Sequence, residues 1–399
     1  MTRRGFWFLA FSAGALVISI PVAIVAGIGR SARNGILIKG GEYLETSAKI
    51  SAVAVDKTGT LTEGRPVLTD IVVLNPEADR REVLRWAAAA EAGSEHPLAR
   101  PILDTAREEG VAPEGLPGSV TPVVGKGIVA DAHGKRVLIG NVPLLEQYGI
   151  VNDAGAAVAA NKLAAAGKTP MIVAVDESVL GVIGVADTIR EDAPEMIRRL
   201  HASGVQKVVM LTGDTRLVAE AIGEAVGIDE IHASLLPEDK LDAVARLQRE
   251  GYTVAMVGDG VNDAPALATA DIGVAMGAAG SAVAVETADI ALMGDNLLKL
   301  PEAISLAKRT VNVMRQNIWI ALITVVVLLV GVFAGGVTMA IGMLVHEGSV
   351  LIVILNAMRL LRNTQGATAL SRSERARAAH ETGRPVEPAT AQSSSELPS

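Results

Sequence analysis

Three apolar runs in this sequence each end in a loop built of aspartate, glycine and threonine or asparagine, and that recurrence constrains the fold more than any other feature. The first run, Ile50 to Val55, closes on Ala52, Val53, Ala54 and Val55 and passes into Asp56-Lys57-Thr58-Gly59-Thr60-Leu61-Thr62-Glu63-Gly64. Consecutive small apolar residues read as a strand buried on both faces of a parallel sheet. A carboxylate at the carboxyl end of such a strand, followed by small hydroxyl residues and glycine, is suited to meeting a phosphate through free backbone N–H groups. Asp56 is therefore the candidate nucleophile. Alone, Asp-Lys-Thr-Gly also reads as an ordinary turn; the downstream loops weigh against that.

The second run, Lys207 to Leu211, ends in Thr212-Gly213-Asp214, and the third, Thr253 to Val257, ends in Gly258-Asp259-Gly260-Val261-Asn262-Asp263. Helical patterns lie between them over 193–203, 216–226 with Gly227 as a stop, and 237–250. Strands alternating with helices predict an α/β fold with a doubly wound parallel sheet, whose ligands sit at the strands' carboxyl ends. A phosphoryl acceptor needs a metal to neutralise the incoming charge and a cation to hold it. Asp259 and Asp263, with Asp56, form an all-oxygen set suited to magnesium. Lys240 supplies a point charge, and Thr212 with Gly213 supplies donors. Each residue alone could be a turn residue or a solvated lysine; three successive strand ends favour a site.

Between 67 and 185 the pattern is a mixed α/β insert. Thr69 to Leu74 reads as a strand and Arg80 to Ala90 as a helix, followed by Glu91-Ala92-Gly93-Ser94-Glu95-His96-Pro97-Leu98. Gly125-Lys126-Gly127 and Gly140-Asn141 flank the short β-like runs Ile128 to Ala130 and Arg136 to Ile139. Gly27 to Ala32 and Gly125 to Ala130 both fit G-x-G-x-x-A, yet neither joins a strand to a helix as a dinucleotide site requires.

Half of the 399 residues are hydrophobic and 20% are charged, so membrane spans are expected. Three are predicted: Phe6 to Ile28, read as a retained helix and kinked at Pro21; Ile318 to Gly336; and Thr338 to Leu361, which holds His346 and Glu347 near its middle. Arg30, Arg33 and Lys39 after the first span, with Arg359 and Arg362 at the last, mark cytoplasmic ends. Arg3 and Arg4 then fall on the wrong side, a hint that the chain starts in mid-protein. The absence of cysteine excludes disulfides, thiolate metal sites and thiol catalysis, and a net charge of −8 gives no reason to expect nucleic acid. The expected division is a membrane helix at 1–30, a phosphorylation domain at 31–66 and 186–310, the insert at 67–185, two membrane helices at 311–364 and a disordered tail at 365–399.

From about Ser12 to Arg362 the sequence resembles the P-type cation-transporting ATPases. Asp56-Lys57-Thr58-Gly59-Thr60 is similar to their phosphorylation motif, Thr212-Gly213-Asp214 to their phosphate-binding motif, and Gly258 to Asp263 to their hinge and magnesium motif. The resemblance implies a haloacid-dehalogenase-like sheet, ATP and magnesium as cofactors, roles for Lys57 and Thr58 beside the nucleophile, and Thr58 among the magnesium ligands. Ser94-Glu95-His96-Pro97-Leu98 resembles the heavy-metal subgroup's signature. By that likeness the insert is a nucleotide-binding domain using Glu91, His96, Gly125, Gly127 and Asn141. His346-Glu347-Gly348-Ser349 resembles the cobalt-type branch, which pairs it with Ser-Pro-Cys in the kinked helix. Here the matching positions are Ser12-Ala13-Gly14, so Ser12, His346 and Glu347 are the candidate ligands for a divalent ion such as cobalt or zinc. The implied setting is a lipid-embedded pump in the bacterial plasma membrane with cytoplasmic catalytic domains. The family's actuator domain carries Thr-Gly-Glu, which does not occur in this sequence. The chain therefore reads as the C-terminal portion of a pump, through a late assigned start, gene decay, or a split gene whose partner chain supplies the actuator. The alternative is a non-transporting, membrane-tethered ATP-binding or regulatory remnant. A soluble-type phosphatase would need an acid/base carboxylate two residues after Asp56, where Thr58 stands.

Overall fold

Ala52–Asp56 is a strand with every residue buried, as small apolar side chains allow when both faces of a sheet are covered. The computed structural model describes residues 14–94, 96, 98–150, 154–259, 263–277, 286–334 and 338–362. In chain order the strands are β1 (Ile36–Ile38), β2 (Ala52–Asp56), β3 (Val67–Val73), β4 (Ser119–Val123), β5 (Gly127–Ala132), β6 (Lys135–Gly140), β7 (Thr169–Val175), β8 (Ser178–Ala186), β9 (Lys207–Leu211), β10 (Glu230–His232), β11 (Val254–Gly258), β12 (Ile272–Ala275) and β13 (Ile290–Leu292).

Seven of these form one sheet in the order β1-β13-β12-β11-β2-β9-β10. All its neighbours pair in parallel except β1 with β13, so the doubly wound sheet carries one antiparallel edge strand. Val55 is the register partner of Val257 on β11, and Asp56 that of Leu211 on β9. The carboxyl ends of β11, β2 and β9 are therefore level neighbours. One face of the sheet buries Met196, Leu200, Val218 and Ile222 of its helices against Val53, Val55, Val208 and Met210; the other buries Val244, Leu247 and Leu267 against Ala54, Val209 and Met256. The helix Arg216–Val226 stops at Gly227, whose φ of 84° is the left-handed conformation that glycine adopts freely.

The other six strands form an antiparallel sheet, β3-β8-β7-β6-β5-β4. Helices Arg80–Glu91 and Ala99–Glu108 pack on one face through Leu84, Ala88 and Ile102, and Leu144, Ala156 and Leu163 cover the other. The first helix is capped by Asp79, which accepts from Glu82 N at 2.7 Å.

Two helices among the described residues are long and apolar enough to cross a membrane, Lys299–Phe333 and Ala340–Leu361. Hydropathy places the start of the first of these at Ile318, but the helix begins 19 residues earlier, at Lys299. Its first turns are buried in the seven-stranded domain through Leu300, Ala303, Ile304 and Ala307, whereas Trp319, Ile323, Val327 and Val330 are exposed. Helical periodicity continues across the change in polarity that the sequence registers as a boundary. At 1.5 Å per residue this single rod is about 52 Å long. Pro21 lies inside the helix Gly14–Arg33. The beginning of the span read as Phe6 to Ile28, the candidate ligand Ser12 and the tail 365–399 lie outside the described residues.

Candidate active site

The chain leaving β2 turns at once. Thr58 and Gly59 are non-helical, and Gly59 has φ 73°. A Cβ built on Gly59 would lie 3.3 Å from Asp259 Oδ2, so glycine admits the β11 loop against the β2 loop. Asp56 and Lys57 are buried, while Thr58 is exposed at the turn.

Lys240, near the start of the helix Pro237–Arg249, places its ammonium 2.6 Å from Asp56 Oδ1 and 2.7 Å from Asp263 Oδ1. Burial, followed by the neighbouring Asp263 carboxylate, pushes Asp56 from 3.8 up to about 6, and the Lys240 charge only partly offsets this. Burial alone would lower Lys240, but the two carboxylates outweigh it and hold its pKa above the usual lysine value. The group therefore stays cationic between them. Lys57 Nζ pairs with Asp214 Oδ2, joining the β2 loop to the β9 loop. Asp214 N donates to Thr212 Oγ1 at 3.2 Å, and Thr212 N donates to the His232 carbonyl at 3.0 Å. Gly213 is exposed at the tip of this turn. Asp56, Lys57, Thr212, Asp214, Lys240, Asp259 and Asp263 are thus gathered at three adjacent strand ends; Gly260, Val261 and Asn262 lie outside the described residues.

Two residues that sequence reasoning passed over hold the crossing between the sheets. Asp187 accepts from Thr62 Oγ1 at 2.5 Å, Gly64 N at 3.2 Å and Arg65 N at 3.0 Å. Arg190 donates to the carbonyls of Thr62 at 3.1 Å and Gly59 at 3.3 Å. The signal was available, because Asp187 directly follows the apolar run that is β8, repeating the pattern seen at the other loops.

In the insert, Asn141 Nδ2 donates to the Gly125 carbonyl at 3.0 Å, and Asn141 N donates to the Lys126 carbonyl at 2.9 Å. Gly127 opposes Gly140, and a Cβ on Gly127 would fall 2.0 Å from the Ile139 carbonyl oxygen. Gly125 belongs to a β-hairpin turn and Gly27 to a helix interior, so neither apparent dinucleotide motif has the strand-to-helix context it needs. Glu91 ends its helix 3% exposed, and its Oε2 is a buried acceptor with no hydrogen-bond partner among the described residues. Burial raises its pKa against a weaker opposing hydrogen bond from Ser94. His96 Nδ1 accepts from Leu98 N at 3.2 Å, and partial burial lowers the ring's pKa. Among the described residues no hydrogen bond joins Glu91 or His96 to the Gly125 and Asn141 pair.

His346 and Glu347 lie on the helix Met339–Met358, Glu347 exposed and His346 half-buried. Their side chains make no hydrogen bond or ion pair among the described residues. Nor do the described residues contain a group of three His, Asp or Glu side chains gathered to cage a metal. Magnesium at a phosphoryl-transfer site keeps waters and phosphate oxygens, needing only one or two protein carboxylates. The buried Asp56 and Asp263, with Asp259 against Gly59, fit that donor set.

Residues 50–271 match the haloacid dehalogenase-like hydrolase family, more than half of this chain. Over 354 residues the chain is 43% identical to a probable cadmium-transporting ATPase of Staphylococcus aureus strain MRSA252, covering 87% of this chain and 48% of that protein. Over 355 residues it is 42% identical to the zinc-exporting P-type ATPase of Mycobacterium marinum, covering 87% and 47%. The chain spans about half the length of the curated relatives it matches. A crystal structure of a zinc-transporting PIB-type ATPase in the E2.Pi state is similar at a TM-score of 0.68 and 43% identity, covering 87% of this chain and 56% of that one. The catalytic domain of the CPx-ATPase CopB-B is similar at 0.53 and 27% identity, covering 70% and 98%. The chain belongs to the haloacid dehalogenase-like hydrolases and has the catalytic fold of the heavy-metal P-type ATPases.

Proposed function

We propose that this chain is the catalytic part of an ATP-driven heavy-metal exporter and that Asp56 is its phosphoryl acceptor. The observation that carries this reading is the Lys240 ammonium between buried Asp56 and Asp263, at the carboxyl ends of the adjacent strands β2 and β11. ATP supplies the γ-phosphoryl group, and magnesium on Asp56, Asp263, Asp259 and Thr58 supplies charge neutralisation. An Asp56 oxygen forms the bond to phosphorus as the bond to the ADP oxygen breaks, and ADP leaves with that electron pair. Lys240 balances the charge, Thr212 and Gly213 donate to the phosphoryl oxygens, and Lys57 with Asp214 keeps the two loops together. The domain at 67–185 binds the nucleotide with Glu91, His96, Gly125, Gly127 and Asn141, presenting it to the domain at 31–66 and 186–310. The Glu91 Oε2 supports this, since a buried acceptor with no donor among the described residues is available to a ligand donor.

The exported ion is a divalent heavy metal. The relatives are described as exporting zinc or manganese, or as transporting cadmium, and His346-Glu347-Gly348-Ser349 favours the cobalt-type branch, with Ser12, His346 and Glu347 as ligands. The setting is a bacterial plasma membrane, with a separate chain supplying the actuator. Purified protein given γ-labelled ATP and magnesium should form an acid-stable, hydroxylamine-sensitive phosphoenzyme that Asp56→Ala lacks; equal labelling of the variant would end the proposal.

A further inference from the structure

Asn317 lies on the rod Lys299–Phe333, fully buried, just past the turns embedded in the seven-stranded domain. Its Nδ2 donates to the Ser19 carbonyl at 3.3 Å, and its Oδ1 accepts from Asn356 Nδ2 at 2.9 Å. Asn356 Nδ2 also donates to Gln316 Oε1 at 3.2 Å, and its Oδ1 accepts from Arg359 Nη1 at 2.9 Å. One buried amide therefore joins three helices, Gly14–Arg33, Lys299–Phe333 and Met339–Met358. Ser19 lies in the helical turn just before Pro21; the rung that the proline removes is the one to the carbonyl at 17, so the bond from Asn317 to Ser19 is an added contact on that turn.

The packing along the same contact is close. A Cβ on Gly27 would lie 2.7 Å from Thr310 Oγ1, so the backbone of the first helix rests directly on the rod there. One turn on, Ala23 packs with Met314 and Ala357. Gly27 and Ala23 hold the two helices near each other without fixing how far one slides along the other. A directional hydrogen bond fixes that.

We propose that Asn317 is a positioning residue: its amide clamps the proline-containing turn of the first helix to a rod rooted in the catalytic domain, so displacement of that domain reaches the first helix as a rigid movement. The purpose of such a movement rests on the exporter reading, whereas the clamp itself does not.

The chain has no cysteine, so Val25→Cys and Val330→Cys, both exposed, can carry a spin-label pair in the purified full chain. The parent should give one narrow label-to-label distance. Asn317→Leu, and the milder Asn317→Ala, should at least double its width while the melting midpoint stays within a few degrees. In the same variants phosphoenzyme formed from ATP should persist, while its dependence on added zinc, cadmium or cobalt falls at least fivefold. An unchanged distance in both variants overturns the clamp. So does a parallel fall in melting midpoint and phosphoenzyme, which marks a merely structural role. A parent that forms no phosphoenzyme defeats the exporter reading instead, and the distance measurement then decides the clamp alone.

Discussion

The Lys240 ammonium lies 2.6 Å from Asp56 Oδ1 with both side chains largely buried, and the same ammonium reaches Asp263. Removing the cation from such a group leaves uncompensated buried charge, a loss of about 3–5 kcal/mol. Lys240→Met should therefore melt well below the parent and form no phosphoenzyme at neutral pH. Lys240→Arg restores charge but is a planar fork rather than a compact ammonium; it should recover most of the stability and little of the labelling. Full labelling in Lys240→Met would remove Lys240 from the chemistry.

Asp56 gives the fold a pH dependence opposite to that of an ordinary salt-bridged aspartate. Its folded value of about 6 lies above the 3.8 of the unfolded chain, so the ionised form costs stability. That cost is fully present above about pH 6 and disappears as pH falls toward 3.8. The difference corresponds to about 3 kcal/mol. In magnesium-free buffer, Asp56→Asn should be more stable than the parent at pH 7.5 by up to that amount, with the advantage shrinking through pH 6 to 4. Denaturant titrations at a series of pH values check this; a constant difference across the range contradicts it.

How much of this was legible beforehand depends on whether the cause is local. β9 and the helix Arg216–Val226 have the same ends in sequence and structure, because their caps and periodicity are carried by neighbouring residues such as Gly227. The gathering of Asp56, Thr212 and Asp263 was readable because parallel strands share a carboxyl end. The antiparallel order of the insert was not, since β3 pairs with β8 across more than a hundred residues and short strands carry no signal of partner. Nor was the Lys57 and Asp214 pair, which depends on two loops facing each other. The rod from Lys299 was hidden because composition changes along it while the backbone does not.

Asp187 should prove as necessary as the residues named from motifs. It accepts three hydrogen bonds from Thr62, Gly64 and Arg65, two of them from backbone N–H groups. Asp187→Ala strands those donors, at about 1–3 kcal/mol for whichever remain shielded from water. Amide exchange at 62–65 should accelerate markedly, and phosphoenzyme should fall because the crossing sets how the insert meets Asp56. Asp187→Asn, which keeps one acceptor oxygen, should be intermediate. Unchanged exchange at Gly64 and Arg65 would show that the crossing is held elsewhere.

Glu91 separates stability from binding. The residue is 3% exposed, with no partner for Oε2 among the described residues, and burial raises its pKa above 4.5. The ionised form therefore costs the ligand-free fold stability at every pH above the raised value, and that cost vanishes below 4.5. Glu91→Met, unbranched and of similar length, should stabilise the ligand-free protein at pH 7 by about 1–2 kcal/mol. The same change deletes an acceptor to which a nucleotide donor would bind, so ATP affinity should weaken about tenfold. Chemical denaturation and calorimetric titration with ATP read the two effects separately. A variant more stable than the parent that binds ATP equally well would make Glu91 a purely structural liability and move the nucleotide contact to another residue; one less stable and equally avid would mean that the carboxyl finds a protein partner in solution.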